Sequence, residues 1–344
     1  MLYGFWISMD HPELSVYEVT RLIHSYRGKV NFKHRSGRLL LLDTNLNEDI
    51  IKRITYRSAL VKEAYKIHHY TNEPNLDEII SNDFISLLNQ YPSIALRFHI
   101  YQPSRCLKMI NYEYLVNYYA DRLLKYYKGV VNLVNPSLRI VVIISRDIIA
   151  LGYEIIGKHS KGFHIRAPSK KPIFTPFSLD PRLARLMINL SGAVEGETIL
   201  DPFCGVGGIP VESSILGIGS ICIELIYKWA RGALINTDYF DKAKLYTEVI
   251  CGDSIKKLIN HIKYVVTDPP YGRITTVKGY TTALNLMNKF LEMLSVLDSL
   301  KTAVFMIPKN LKLDYERYGF RLAFKYEIPV HSKLTRVLVV LERI

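Results

Sequence analysis

The segment Thr267-Asp268-Pro269-Pro270-Tyr271-Gly272-Arg273 follows a β-branched run, Tyr264-Val265-Val266, and has the makings of a hydrogen-bond-accepting rim. Two consecutive prolines fix φ and remove two N–H donors, so the loop offers acceptors, the Asp268 carboxylate and the Pro269 carbonyl. An exocyclic amine conjugated to a purine or pyrimidine is a weak nucleophile. Acceptors placed on its N–H groups turn its lone pair toward an electrophile, and Tyr271 would stack on the extruded base. Taken alone, the stretch could also be only a rigid turn.

A second informative segment lies upstream. Thr198-Ile199-Leu200-Asp201 reads as a buried strand and runs into Pro202-Phe203-Cys204-Gly205-Val206-Gly207-Gly208, ahead of a helical stretch. Glycines there let backbone approach a ligand closely, and the following helix start offers N–H groups to an anionic moiety. A plain tight turn is the alternative. Acidic residues then close the next two expected strands: Glu224 after Ser220–Ile223, and Asp253 after Glu248–Gly252. Ligands of open α/β sheets lie across the carboxyl ends of the strands, so both acids would face the crevice of Gly205. Glu224 is placed to accept from ribose hydroxyls and Asp253 from an adenine amino group; each alone reads equally as a solvated carboxylate.

These residues need an open α/β sheet to hold them, and the strand–helix alternation after Pro181 predicts one. The helix Arg182–Ser191, stopped at Gly192, precedes the glycine turn, Glu224, Asp253 and Asp268 in that order. Together the segments resemble class I S-adenosylmethionine-dependent methyltransferases that modify exocyclic amino groups of bases, over roughly residues 175–344. The run Phe174–Leu190, the Thr267–Arg273 form and the closing His331–Arg343 are similar to the archaeal and eukaryotic tRNA guanine-10 N2-methyltransferases.

The resemblance implies a Rossmann-like catalytic domain over 175–344, behind a ferredoxin-like domain over 1–60, a THUMP domain over 61–152 and a linker over 153–174. It implies S-adenosylmethionine as cofactor, held by Asp201, Pro202, Phe203, Cys204, Gly205, Gly207, Glu224, Asp253, Ser254 and Asp268. Asp268, Pro269, Pro270 and Tyr271 would hold guanine, and tRNA would be the partner. No metal is required, and a self-sufficient monomer without an activating subunit is the expectation. The chemistry alone leaves rivals: a DNA amino-methyltransferase on adenine N6 or cytosine N4, an inactive RNA-binding relative, and a nicotinamide dehydrogenase, which leaves Asp268–Tyr271 unexplained.

The remaining sequence is consistent with a nucleic-acid partner. The 344 residues carry a formal net charge of +13, and residues 101–171 hold 12 Lys or Arg against 4 Asp or Glu. Such a surplus suits a polyanion. Lys158, Lys161, Arg166, Lys170, Lys171 and Arg273 are candidates to follow tRNA phosphates, with plain surface charge as the other reading of each. The helix expected over 112–127 mixes tyrosines with Arg122 and Lys125; its aromatics are assigned mainly to the core. In the first 60 residues, Leu2–Ser8, a helix after Pro12, Lys29–Phe32 and Arg38–Thr44 alternate strand and helix patterns, and Leu138–Ser145 is strongly β-branched. No apolar run reaches the roughly 18 residues a spanning helix needs. The four cysteines lie far apart, as a reducing compartment allows, and no secretion signal is evident; a soluble cytoplasmic protein is expected.

Overall fold

Apolar runs of four to seven residues, punctuated by Gly, Pro and Asp, produce two sheets rather than one. The computed structural model describes residues 1–72, 80–101, 112–145, 147–176, 178–241, 246–256, 259–270, 283–331 and 334–344. Contacts divide the chain into a first unit of Met1–Tyr56 and Leu60–His159, and a second of Arg57–Ala59 and Ser160–Ile344.

In the first unit the elements run β1 (Leu2–Ile7), α1 (Pro12–Ser25), β2 (Asn31–Ser36), β3 (Leu39–Asp43), α2 (Glu48–Arg57), β4 (Val61–Thr71), α3 (Asn82–Leu88), β5 (Ser93–Ile100), α4 (Tyr112–Lys125), β6 (Val130–Val131), β7 (Leu138–Ile144) and β8 (Ile149–Ile156). Pro12 opens α1, where its missing N–H costs nothing, and the Ser81 side chain accepts the Phe84 N–H at the start of α3. The strands form one sheet in the order β2-β3-β1-β4-β8-β7-β5-β6, so the segments on either side of residue 60 share a sheet.

Alternate residues of those strands build different cores. Tyr3, Phe5, Leu40 and Leu42 pack with α1 and α2, while Ile140, Val142 and Leu151 pack with Phe84 of α3 and Tyr119 and Leu123 of α4. The other parity, Leu39, Leu41, Tyr65, Ile67, Val141 and Ile143, forms a third core. The edge strand's Ser36 hydroxyl donates at 2.8 Å to Ser145 beyond β7, so the sheet curls around that third core. The aromatics of α4 are divided: Tyr119 is in the core, and Tyr114 is exposed.

The second unit runs α5 (Pro181–Ser191), β9 (Thr198–Asp201), α6 (Gly208–Ile215), β10 (Gly219–Glu224), α7 (Tyr227–Phe240), β11 (Thr247–Cys251), β12 (Tyr264–Thr267), α8 (Ala283–Ser295), β13 (Thr302–Pro308), β14 (Phe320–His331) and β15 (Leu334–Arg343). Asp180 caps α5 by accepting the Arg182 and Leu183 N–H groups, and Gly192 stops it at φ 88°. The sheet order is β11-β10-β9-β12-β13-β15-β14, with β15 antiparallel to both neighbours and the other pairs parallel. From Ser160 onward the stretch after β8 also packs in this unit, through 3-10 turns at Phe163–Arg166 and Pro168–Lys170. Arg57 does too: its guanidinium donates to Asn189 Oδ1 at 3.1 Å and to the Ala193 carbonyl at 2.9 Å. Among the described residues no helix is long and apolar enough to cross a membrane.

Candidate active site

The order of the second sheet reverses at β9, with β10 on one side and β12 on the other, and at such a switch point ligands of open α/β sheets lie across the carboxyl ends of the strands. Register sets what faces it. Ile199 and Leu200 pair with Tyr264 and Val265, so the two strands end together at Asp201 and Thr267. The buried Thr267 hydroxyl donates to Asp201 Oδ1 at 2.7 Å, and the Phe203 N–H reaches the same oxygen at 3.3 Å.

The turn after Asp201 depends on glycine. Gly205 and Gly207 have φ of 53° and 83°, a region that L side chains rarely adopt. A Cβ on Gly207 would press on Ala233 of α7, whereas one on Gly205 would meet nothing within 4 Å. Gly205 is therefore the open, side-chain-free ridge of the turn. The Phe203 ring packs edge-on against Phe290 at 5.6 Å, and the Asn236 amide donates to the carbonyls of Val206 and Ile173, each at 2.8 Å. These contacts hold the turn from both ends.

Glu224 ends β10 beside the ridge. Its Oε2 accepts the Gly205 N–H at 3.0 Å and its Oε1 the Ile226 N–H at 2.9 Å, leaving further lone pairs for hydroxyl donors. Burial pushes the Glu224 carboxyl up. Asp253, past β11, caps its own 3-10 turn by accepting the Ile255 N–H at 3.2 Å, with Ser254 buried behind it.

Asp268 follows β12, and Arg336 of β15 donates to its Oδ2 at 3.1 Å. Asp201 records how closely the acids converge. Burial pushes its carboxyl up to about 7, with the charges of Asp268 and Glu224 adding to the rise and hydrogen bonds from Thr267 and Phe203 opposing it. A buried, anion-rich crevice beside an open glycine ridge is suited to a cationic ligand with hydroxyl and amino donors.

Comparisons with known proteins address the same region. A family model described as RMKL-like, methyltransferase domain, matches residues 168–337. A probable tRNA (guanine(10)-N2)-dimethyltransferase of Methanothermococcus thermolithotrophicus is 30% identical over 169 residues, which cover 98% of that protein and 47% of this chain. The chain belongs to the tRNA (guanine(10)-N2)-dimethyltransferase family. The member from Methanocaldococcus jannaschii is 28% identical with 100% of both chains covered. Among solved structures, TrmN from Thermus thermophilus aligns with 100% of both chains at 16% identity and a TM-score of 0.49.

Within this family member, Asp201, Glu224 and Asp268 converge as the order of strands requires, and Gly205 lies between the first two. Other expected site residues contribute differently. The Phe203 ring faces the core, and the buried Cys204 thiol lies against Cys222, with its hydrogen bond to that neighbour and then burial raising it well above its ordinary value. From these two positions only backbone can serve a ligand. Arg166 and Lys171, expected to follow phosphates, are 5% and 6% exposed and cannot track a polyanion at the surface. Arg166 is committed to Glu212. Lys161 donates to the Ser58 carbonyl, whereas Lys158 and Lys170 are exposed. Tyr271 and Arg273 lie outside the described residues. Two partners were missed from sequence, Thr267 and Arg336. Both sit inside the segments that carried the resemblance, where nothing in the pattern says which acid each would reach.

Proposed function

We infer that the protein transfers methyl groups from S-adenosylmethionine to the exocyclic N2 of a guanosine in tRNA, at position 10, and that a second transfer gives N2,N2-dimethylguanosine. The observation that carries this reading is the convergence of Asp201, Glu224 and Asp268 on the open Gly205 ridge at the switch point of the sheet. The donor set fits the cofactor: it is rich in carboxylates for a cationic molecule, and the ridge is free of side chains where backbone must approach. When bound, S-adenosylmethionine supplies an electrophilic methyl group on a sulfonium centre.

The chain's own residues do the rest. Glu224 accepts from the ribose hydroxyls and Asp253 from the adenine amine, while the turn from Asp201 to Gly207 holds the methionine moiety. Asp268 and the Pro269 carbonyl accept the guanine N2–H groups and aim the nitrogen lone pair at the methyl carbon. Asp268, or water beyond it, would take the proton that N2 gives up on methylation. Pro269 and Pro270 keep that rim rigid, and stacking on the base is the role assigned to Tyr271. Catalysis of this kind is mostly orientation and fixed charge.

The first unit is assigned to tRNA binding, with residues 1–60 as a ferredoxin-like and 61–152 as a THUMP module that read shape and backbone and so select the guanosine. Full-length coverage of the M. jannaschii relative supports both modules being part of the working enzyme. The enzyme acts as a monomer in the cytoplasm without an activating subunit. Incubation with unmodified tRNA transcripts and labelled methyl donor, followed by mass spectrometry of the nucleosides and of nuclease fragments that locate them, tests the reaction and its position. N2-methylated guanosine at position 10 is expected; methylation of another base, or none, overturns the assignment.

A further inference from the structure

Lys171 is a largely buried cation. It is 6% exposed, yet among the described residues its ammonium makes no hydrogen bond or ion pair. Its nearest charges are Glu212, Asp180 and Arg166, and both acids are already engaged. Glu212, 0% exposed, accepts from Arg166 Nε on one oxygen and from Arg185 Nε on the other, at 2.5 and 2.9 Å. Asp180, exposed at the start of α5, gives its Oδ1 to the Arg182 and Leu183 N–H groups.

The ammonium points at the start of α6. Its Nζ lies 3.7 Å from where a Cβ of Gly208 would stand, with Leu179 on the same side. Gly208 is the first residue of that helix and the last glycine of the Gly205–Gly208 turn, so a helix N-terminus and a buried ammonium present positive charge to one place. Two like charges sharing a desolvated spot repel unless an anion lies between them. The spot adjoins the ridge assigned above to the cofactor, and the one anionic group of S-adenosylmethionine is its carboxylate. Burial excludes the phosphate of a polynucleotide running along the surface.

We propose that Lys171, together with the first-turn N–H groups of α6, binds the methionine carboxylate of the cofactor. This deepens the reading of the Gly205 turn as a cofactor site and rests on it. Lys171 is then a cofactor-binding residue supplied by the stretch ahead of α5 rather than by a sheet strand, and it sets one end of the methionine chain whose other end carries the reactive methyl.

Calorimetry on the full chain tests the pairing from both sides, with S-adenosylhomocysteine and its decarboxylated counterpart as probes. In the unaltered protein, loss of the ligand carboxylate is expected to weaken binding roughly 10- to 100-fold, the usual worth of one charge-assisted contact. Lys171→Met should weaken S-adenosylhomocysteine binding by a similar factor and bind the two ligands equally; Lys171→Arg should restore part of the discrimination. Unaltered protein that does not distinguish the two ligands overturns the proposal, whether or not the Met variant folds. So does a folded Met variant that still distinguishes them, or one that loses affinity for tRNA alone. No binding of S-adenosylhomocysteine by the unaltered protein would overturn the cofactor reading itself, and the proposal with it.

Discussion

Arg336 Nη1 lies 3.1 Å from Asp268 Oδ2, an ion pair reaching from β15 to the end of β12. One carboxylate oxygen of the residue assigned to the guanine amine is thereby held by a cation from a strand that does not adjoin its own. The pair fixes how Asp268 points. Arg336→Met is expected to lower kcat on the order of 10- to 100-fold through misplacement of Asp268. Affinity for S-adenosylhomocysteine should not change, and Arg336→Lys should recover part of the rate. A Met variant with unaltered kcat would remove Arg336 from the machinery.

The proposed reaction gives Asp268 the orienting and proton-accepting role. Asp268→Ala should reduce single-turnover methyl transfer by roughly 10²- to 10⁴-fold without a matching loss of tRNA affinity measured by filter binding. Equal losses in both would make it a binding residue instead.

Asp201 predicts a specific pH dependence. Its folded carboxyl titrates at about 7 because of burial, whereas an aspartate in the unfolded chain titrates near 4. Between those values the folded state keeps a proton that the unfolded state has released. Its stabilising contribution is thus complete below pH ~4 and is lost as pH rises to about 7. Urea midpoints should fall across that window, and Asp201→Asn should flatten the fall. A cationic cofactor favours the ionised form, so binding below pH ~7 should release a proton, read as a calorimetric enthalpy that varies with buffer ionisation.

Gly205→Ala separates strain from access. The backbone at φ 53° disfavours any side chain, by about 1–2 kcal/mol. A methyl there meets nothing in the protein but enters the space assigned to the cofactor. Thermal denaturation should show a small loss of stability, and S-adenosylhomocysteine affinity should fall by a larger factor than that loss explains.

Glu212 is the buried hub that holds Arg166 and Arg185. Glu212→Gln removes the negative charge that both desolvated guanidinium groups share, and a loss of roughly 3 kcal/mol or more in unfolding free energy is expected. A variant as stable as the parent would show that water reaches the pair.

The sequence by itself determined the local events. The Thr198–Asp201 strand, the Gly205–Gly208 turn, the Gly192 stop of α5, and the placement of Glu224, Asp253 and Asp268 at strand ends follow from periodicity, φ preferences and missing N–H groups, which act over a few residues. The grouping of Asp201, Glu224 and Asp268 followed once strand order was assumed, because parallel strands put their carboxyl ends on one edge. What tertiary structure alone decided is long-range pairing and burial. The basic stretch before α5 read as uniform surface charge, yet the fold exposes Lys158 and Lys170 while sinking Arg166 and Lys171 beside α6. Arg57 and Asn189, Thr267 and Asp201, and Arg336 and Asp268 are partners separated by 132, 66 and 68 positions. No local rule links residues so far apart: whether a charge is solvated or desolvated, and against which group, is settled only when the sheet closes and its energy depends on what then lies within a few ångströms.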